Sequence, residues 1–220
     1  MRRRIGCRAV VALLAMVGAA GCSLRPAPRA PVAAYDLEAA PAPAPGVPPS
    51  LDKVIVVYDP SAPNWLVGRQ MRYRLAYDDP GRIRRYANSQ WASSPIMAVG
   101  DGLRASLSAR TKRGSAVPDY GQLADFWVRV QVERLEQVFD SRAASHGIVR
   151  LRVSVFRGRD RAFVGQQTFE GEAPAPTPDA RGGVVAVSQS IDNAVEGAAA
   201  WIVDLVRGDV EDPDAAGGGR

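Results

Sequence analysis

The sequence predicts a single α+β domain, with two helices packed on one face of an antiparallel-rich sheet. Three features of the 220-residue chain lead to this fold class: a hairpin that runs into a helix, a meander of three strands, and a long apolar stripe of helical period near the end. The composition, 46% hydrophobic and 23% charged, is ordinary for one globular domain.

The first 21 residues have the order of an export signal. A basic start precedes an apolar run, Ala9 to Ala20, which is shorter than the roughly 20 residues that a spanning helix needs. The run ends in Ala19-Ala20-Gly21-Cys22, and small residues before a cysteine resemble the lipobox of bacterial lipoproteins. Residues 1–21 are therefore predicted to be a lipoprotein signal peptide, with Cys22 as the lipid attachment site. An ordinary secretory signal cut near Ala20 and an uncleaved anchor are the alternatives.

The formal net charge of +5 does not indicate a nucleic-acid partner. Four of the 28 basic residues lie in the predicted signal, which has no acidic residue, so 24 basic residues remain against 23 acidic ones. A nucleic-acid surface would need basic residues clustered on the folded part. Because Cys7 is lost with the signal and Cys22 is acylated, the mature domain also has no thiolate for a disulfide or a metal site.

Residues 22–49 are predicted to be a flexible tether behind the lipid anchor. This segment is rich in alanine and proline, a composition that favours polyproline II and forms no packed core. Tyr35-Asp36-Leu37 lies inside it, and it is either a short docked strand or an isolated aromatic in the tether.

The folded domain is predicted to span residues 50–208 and to begin with a buried strand, Val54 to Val57. A hairpin follows, in which alternation places Tyr73 on one face and Arg74 on the other. Asp79-Pro80-Gly81 has turn chemistry. A second, arginine-rich run ends at Trp91, and Ser93 or Ser94 is expected to cap a helix from Pro95 to about Ala109.

The second half of the chain reads as a meander followed by a long helix. Apolar residues alternate from Phe126 to Val132 and then change phase, which predicts a bulge near Glu133 or Arg134. Two further strands precede a helix from about Val184 to Arg207, with Gly208 expected as its C-cap glycine. Residues 209–220, acidic and then glycine-rich, are predicted to be a disordered tail.

The region from residue 71 to residue 95 carries a family resemblance. A Tyr-Arg strand, a short turn, a Tyr-x4-Trp segment and a proline-led helix resemble the ABC-type transport auxiliary lipoproteins, which accompany mammalian-cell-entry (MCE-type) lipid transport systems. The resemblance covers most of residues 35–207. The residues that carry it are Met71, Tyr73, Arg74, Tyr86, Trp91 and Pro95.

This resemblance implies a non-enzymatic, lipid-anchored accessory role in moving phospholipid or another hydrophobic compound across the envelope. The implied partners are an MCE-type periplasmic subunit and, through it, a permease and an ATPase. In such lipoproteins, an aspartate directly after the acylated cysteine usually retains the protein at the inner membrane. This chain has Ser23 at that position, which suggests the outer membrane, with the domain facing the periplasm. Self-association into a homo-oligomer stays open. The candidate partner-binding residues are Tyr73, Arg74, Tyr86 and Trp91.

The sequence lacks the common signatures of catalysis. Its single histidine, His146, falls in a predicted turn, and no Gly-x-Ser-x-Gly elbow supplies a nucleophile for it. No phosphate-binding loop is present, so the chain is not itself a transporter ATPase. We therefore expect no enzyme activity, cofactor or metal. The alternative to the transport role is a structural outer-membrane lipoprotein that assembles or stabilises a different envelope complex.

Overall fold

The computed structural model describes residues 31–37, 51–113, 115–116 and 123–211. The predicted signal peptide, Cys22, most of the tether and the end of the tail lie outside these residues. From Val32 onward the described residues belong to one compact unit. None of the helices among them is both long enough and apolar enough to cross a membrane.

Eight strands of the described residues form one mixed sheet. Strands β1 to β6 follow the order β1-β4-β3-β6-β2-β5, while β7 pairs with β6 and β8 pairs with β7. The long pairings, β3–β4, β6–β7 and β7–β8, are antiparallel, and the short ones are parallel. The strands are β1 Ala33–Tyr35, β2 Ile55–Val57, β3 Gln70–Leu75, β4 Asp79–Trp91, β5 Ser115–Ala116, β6 Phe126–Phe139, β7 Ser145–Arg157 and β8 Phe163–Pro174.

Strand β6 is the centre of the sheet. One edge pairs with β7 along nearly its whole length. The other edge is shared, because β2 pairs with its first residues, from Phe126 to Val128, and β3 pairs with its last three, from Gln137 to Phe139. The predicted bulge is confirmed, since the β6–β7 register shifts between Val132 and Arg134.

Two helices, α1 (Pro95–Arg110) and α2 (Ala180–Glu211), cover one face of the sheet. Both contribute to a single hydrophobic core with the inward side chains of the strands, which confirms the predicted α+β fold. Proline suits the first position of α1 because its φ is already helical and it has no N–H to satisfy. Ser94 occupies the N-cap position, but its side chain makes no capping hydrogen bond. The buried helix residues of this core include Val99, Leu103, Leu107, Val187, Ile191, Val195 and Ile202.

The hairpin turn lies earlier than the sequence predicted. Residues 76–78 form the turn, and Asp79-Pro80-Gly81 opens β4 instead. The register jumps between the pairs Arg74–Ile83 and Leu75–Asp79, so the turn-forming residues make an irregularity in β4. The Asp79 carboxylate accepts a hydrogen bond from the Gly81 N–H at 3.1 Å, which is the local bond that suits aspartate to such a bend.

The structure decides between the two alternatives for the Tyr35 segment, and it makes the last helix longer than predicted. Ala33–Tyr35 pairs in parallel with β4, at Ser89 to Trp91, so Tyr35 belongs to a docked strand and not to an isolated stretch of tether. Helix α2 begins at Ala180 and continues through Gly208 to Glu211, so Gly208 is not its C-cap.

Candidate functional site

Two of the four predicted partner-binding residues, Tyr73 and Tyr86, lie together on the helix-covered face of the hairpin. Their ring centroids are 4.7 Å apart, and Tyr73 also packs against Phe139 at 5.7 Å. The Tyr86 hydroxyl donates a hydrogen bond to Gln137 Oε1 at 2.8 Å. Burial raises the pKa of the Tyr86 phenol well above its usual range, and neighbouring Tyr73 adds to this shift. Both rings are partly buried, so they leave only part of their surface for a partner.

Arg74 lies on the opposite face of the hairpin, which the helices do not cover. Its Nε donates to Glu136 Oε1 at 3.1 Å, and Arg134 donates to the same oxygen at 2.6 Å. The Glu136 side chain is 1% exposed, and its Oε2 has no hydrogen-bond partner among the described residues. The main contact of Arg74 is therefore an internal ion pair that joins β3 to β6.

Trp91, the fourth predicted residue, is only 2% exposed and packs in the hydrophobic core. Its N–H donates to Arg69 O, and its own carbonyl oxygen accepts from the Arg69 guanidinium at 2.9 Å. The structure thus brings Tyr73 and Tyr86 together and separates them from Arg74 by the thickness of the sheet.

The uncovered face carries a cluster of aromatic and arginine side chains that the sequence analysis did not single out. We call it the aromatic–arginine cluster. Its members come from the residue after β2, from strands β6, β7 and β8, and from the turn between β7 and β8. A small cavity of about 150 Å³ lies among the first five of them. The cluster consists of Tyr58, Trp127, Arg129, Phe156, Arg161 and Phe163.

Ring stacking and cation–π contacts hold this cluster together. Tyr58 stacks on Trp127 with centroids 5.2 Å apart. The Arg129 guanidinium lies between two rings, 5.5 Å from the Tyr58 centroid and 5.4 Å from the Phe156 centroid. Arg161 lies 5.7 Å from the Trp127 centroid. Such contacts fix the guanidinium positions and contribute on the order of 0.5–1 kcal/mol each at exposed sites.

The cluster is positively charged and partly open to solvent. No carboxylate of the described residues forms an ion pair with Arg129 or Arg161. Phe163, at its edge, is 57% exposed. Aromatic rings beside arginines are the residue types that most often anchor protein interfaces. The arrangement can therefore receive a partner surface that has both acidic and apolar groups.

An open cleft of about 710 Å³ adjoins the cluster at the end of the sheet and shares Trp127 and Arg161 with it. On its wall the Arg157 guanidinium donates to both carboxylate oxygens of Asp209, at 3.0 Å and 2.5 Å. Hydrogen bonding to Asp209 raises the pKa of Arg157. This ion pair attaches the last turn of α2 to the end of β7.

His146 is the single histidine of the chain. His146 opens β7 instead of lying in the turn, and its Nδ1 is 2.9 Å from Asp140 Oδ2. No serine or cysteine side chain among the described residues hydrogen-bonds to this histidine. The described residues also contain no group of three or more His, Cys, Asp or Glu side chains that could hold a metal ion.

The apolar alternation from Phe126 to Val132 implies that the intervening Trp127 and Arg129 face outward, but it gives no reason to choose them as site residues. The only signal was alternation, which marks every second residue of a strand equally. Phe163, the first residue of β8, is exposed on the outer face. The cluster is assembled by the pairing of β2, β6, β7 and β8, which the sequence does not reveal.

Comparison with known proteins gives a family and a fold. A family model described as "ABC-type transport auxiliary lipoprotein component" matches residues 35–199. A crystal structure of a DUF330 protein from Xanthomonas campestris is similar with a TM-score of 0.70 and 18% identity, over 81% of this chain and 99% of that chain. The crystal structure of an uncharacterized protein has a TM-score of 0.60 and 16% identity, over 79% and 99%. At these identities the structures show a shared fold. No match was found among curated proteins.

Proposed function

Because the chain belongs to the family of ABC-type transport auxiliary lipoprotein components, we propose that it is a lipid-anchored accessory subunit of an MCE-associated transport system in the cell envelope. The observation that carries the proposal is the family match over residues 35–199, which includes nearly all of the sheet and most of both helices. Membrane anchoring is a property of a lipoprotein family. The cargo that we propose is phospholipid or another hydrophobic compound.

The anchor in this proposal is an acylated Cys22, and the membrane is the outer one. At roughly 0.8 kcal/mol for each buried CH₂ group, two or three acyl chains hold a protein firmly on a bilayer. Ser23 after the cysteine supports the outer membrane, by the resemblance described above. The proline-rich residues before the domain would let it reach partners in the periplasm.

The mode of action that we propose is docking, without catalysis. The proposed docking surface is the aromatic–arginine cluster, and its occupant is an acidic, partly apolar patch on the periplasmic subunit of the transporter. Charge complementarity supports this choice, because Arg129 and Arg161 carry charges that no described carboxylate neutralises by an ion pair. The exposed ring of Phe163 adds an apolar contact.

Quantitative mass spectrometry of proteins that co-purify with the full-length chain tests this proposal. We expect Arg129→Ala to weaken the association with ABC-type transporter subunits about thirtyfold, and to lower their yield accordingly, since a central interface arginine contributes on the order of 2 kcal/mol. Arg152→Ala is the matched control. It removes the same charge from an exposed arginine of the same sheet face, but its partner is Glu133 and it lies outside the cluster.

Melting temperatures of both variants show whether they stay folded. If transporter subunits co-purify equally with both variants, docking does not use the cluster. If the wild-type chain instead brings down a different outer-membrane complex and no transporter subunit, the transport role is wrong and the structural role is favoured.

A further inference from the structure

A second pocket on the uncovered face carries two positive charges and no negative one. It has a volume of about 370 Å³ and lies between the loop before β3 and the paired strands β3 and β4. We call it the hairpin pocket. Its lining residues are Asn64, Trp65, Val67, Gln70, Arg72, Ile83 and Arg85.

Arg72 is a nearly buried cation, 8% exposed, and all its hydrogen bonds go to neutral oxygens. Nη1 donates to Leu66 O at 3.3 Å and to Gln70 O at 3.1 Å, and Nη2 donates to Gln70 Oε1 at 3.1 Å. A longer contact joins Nη2 to Val67 O. No carboxylate in the described part of the chain pairs with this guanidinium. Burying a charge without a counter-ion is costly, so an anion in the pocket would stabilise it.

Arg85 increases the positive charge of the pocket. It is the cross-strand partner of Arg72, and side chains directly opposite in an antiparallel pair share a face. Burial and the charge of Arg85 both lower the pKa of Arg72. Arg85 is exposed and has no hydrogen bond or ion pair with any described residue, so its N–H donors can reach a ligand.

The rim of the same pocket is apolar. Trp65, Val67 and Ile83 are 45%, 52% and 39% exposed, which is unusual for large hydrophobic side chains in one place. A small inorganic anion would contact the arginines and leave this rim in water. An anion that carries an apolar chain would cover both parts of the pocket.

We propose that the hairpin pocket binds the phosphate group of an amphiphile, with the phosphate at Arg85 beside Arg72 and the apolar part against Trp65, Val67 and Ile83. The guanidinium of Arg85 offers a planar fork of donors, which matches phosphate oxygens. Arg72 contributes mainly charge, because its two Nη groups already donate to backbone and side-chain oxygens. The proposal rests on the pocket and does not require the transporter association.

Isothermal titration calorimetry of the full-length chain in a non-ionic detergent tests it with three probes. They are dihexanoyl phosphatidic acid, inorganic phosphate, and dihexanoylglycerol, which keeps the apolar part and has no phosphate. We expect phosphatidic acid to bind most tightly, phosphate to bind at least tenfold more weakly and to compete with it, and dihexanoylglycerol to bind more weakly than both.

Variants locate the site. Arg85→Gln should weaken phosphatidic acid binding about tenfold, since it removes a charge-assisted contact from an exposed side chain. Arg82→Gln is the control, because it removes the same charge from an exposed position of the same strand outside the pocket. Trp65→Ala should weaken phosphatidic acid binding and leave phosphate binding unchanged. Arg72 is not used for a variant, because replacing a nearly buried side chain would also change the stability of the domain. Arg85 is the arginine that the experiment changes.

Several results would overturn the proposal. Equal binding of dihexanoylglycerol and phosphatidic acid would remove the role of the phosphate. If Arg82→Gln and Arg85→Gln weaken phosphatidic acid binding equally, binding depends on the net positive charge of the domain and not on the pocket. Phosphate binding as tight as phosphatidic acid binding would remove the role of the apolar rim. Because none of these measurements uses a transporter, their outcome is separate from the co-purification result.

Discussion

Gly171→Ala should loosen the packing of helix α2 on the sheet. Gly171 lies on β8 beneath the helix, where an added Cβ would be 2.0 Å from Ser190 O and 2.8 Å from Ala194 N. Both atoms belong to the backbone of α2, so no side-chain rotation can relieve the contact. Carbon contacts are favourable at about 3.5–4.0 Å, so the helix would have to move by more than 1 Å.

The loss of stability depends on the packing that this movement of α2 disturbs. Helix α2 buries Ile191, Ala194, Val195 and Ile202 against the sheet, each at most 4% exposed. Inserting a group into such packing typically costs about 1–3 kcal/mol, and a contact with rigid backbone belongs at the upper end. We therefore expect a loss of about 3 kcal/mol in the free energy of unfolding, partly offset by about 0.5–1 kcal/mol because alanine restricts the unfolded chain more than glycine.

Gly165→Ala provides the matched control, on the same strand and beneath the same helix. Its Cβ would meet the Leu205 side-chain tips at 3.0 Å and 3.3 Å, and a flexible side chain can rotate away. Urea unfolding of the full-length chain, followed by circular dichroism, should show Gly171→Ala less stable than Gly165→Ala by about 2–3 kcal/mol, or roughly 4–12 °C in melting temperature. Equal stability of the two variants would refute close backbone contact between α2 and β8.

Two further substitutions test other parts of the structure. Trp91→Ala should lower the free energy of unfolding by about 3–5 kcal/mol in urea, because the side chain is 2% exposed in the core; a folded variant of unchanged stability would show that Trp91 is not core. Asp179→Ala should cost about 1 kcal/mol, because Asp179 accepts the Gly182 N–H at 2.8 Å as the N-cap of α2, while Asp179→Asn keeps an acceptor and serves as control. The Gly182 N–H and the Thr177 hydroxyl lower the pKa of Asp179, so its stabilisation is present above the ordinary value of 3.8 and is lost as pH falls through the lower folded-state value. The difference in the free energy of unfolding between wild type and Asp179→Ala, measured by urea titration, should therefore be smaller at acid pH than at neutral pH. A difference that does not change with pH would contradict this linkage.

The strands of the meander could be predicted because one face of each is buried. Alternation from Phe126 to Val132 reports that burial directly, and the change of phase after Val132 marks the bulge. The two core helices could be predicted for the same reason, from their stripes of apolar residues. In both cases the periodicity of apolar residues along the chain matches the face that the tertiary structure buries.

The hairpin turn and the end of α2 could not be located, because tertiary contacts decide them. Proline and glycine mark where a bend is tolerated, but the pairing register decides which bend becomes the turn. A glycine after a basic residue is a common helix end, yet α2 continues past Gly208. The ion pair between Asp209 and Arg157 holds its last turn against β7, and these two residues are far apart in the sequence.

Neither the aromatic–arginine cluster nor the hairpin pocket could be found from the sequence. Each is built from segments that only the sheet brings together, such as Tyr58 with Trp127 or Trp65 with Arg85. The predicted site residues were chosen along the chain, and the sheet divides them between two faces. Their role in partner binding stays a prediction.

The most direct test of the central claim is mass spectrometry of the full-length wild-type protein purified from its native membranes in mild detergent. The account predicts an acylated Cys22 together with the periplasmic, permease and ATPase subunits of an ABC-type system. An unmodified Cys22, or an acylated chain that brings down a different envelope complex without any transporter subunit, would contradict it.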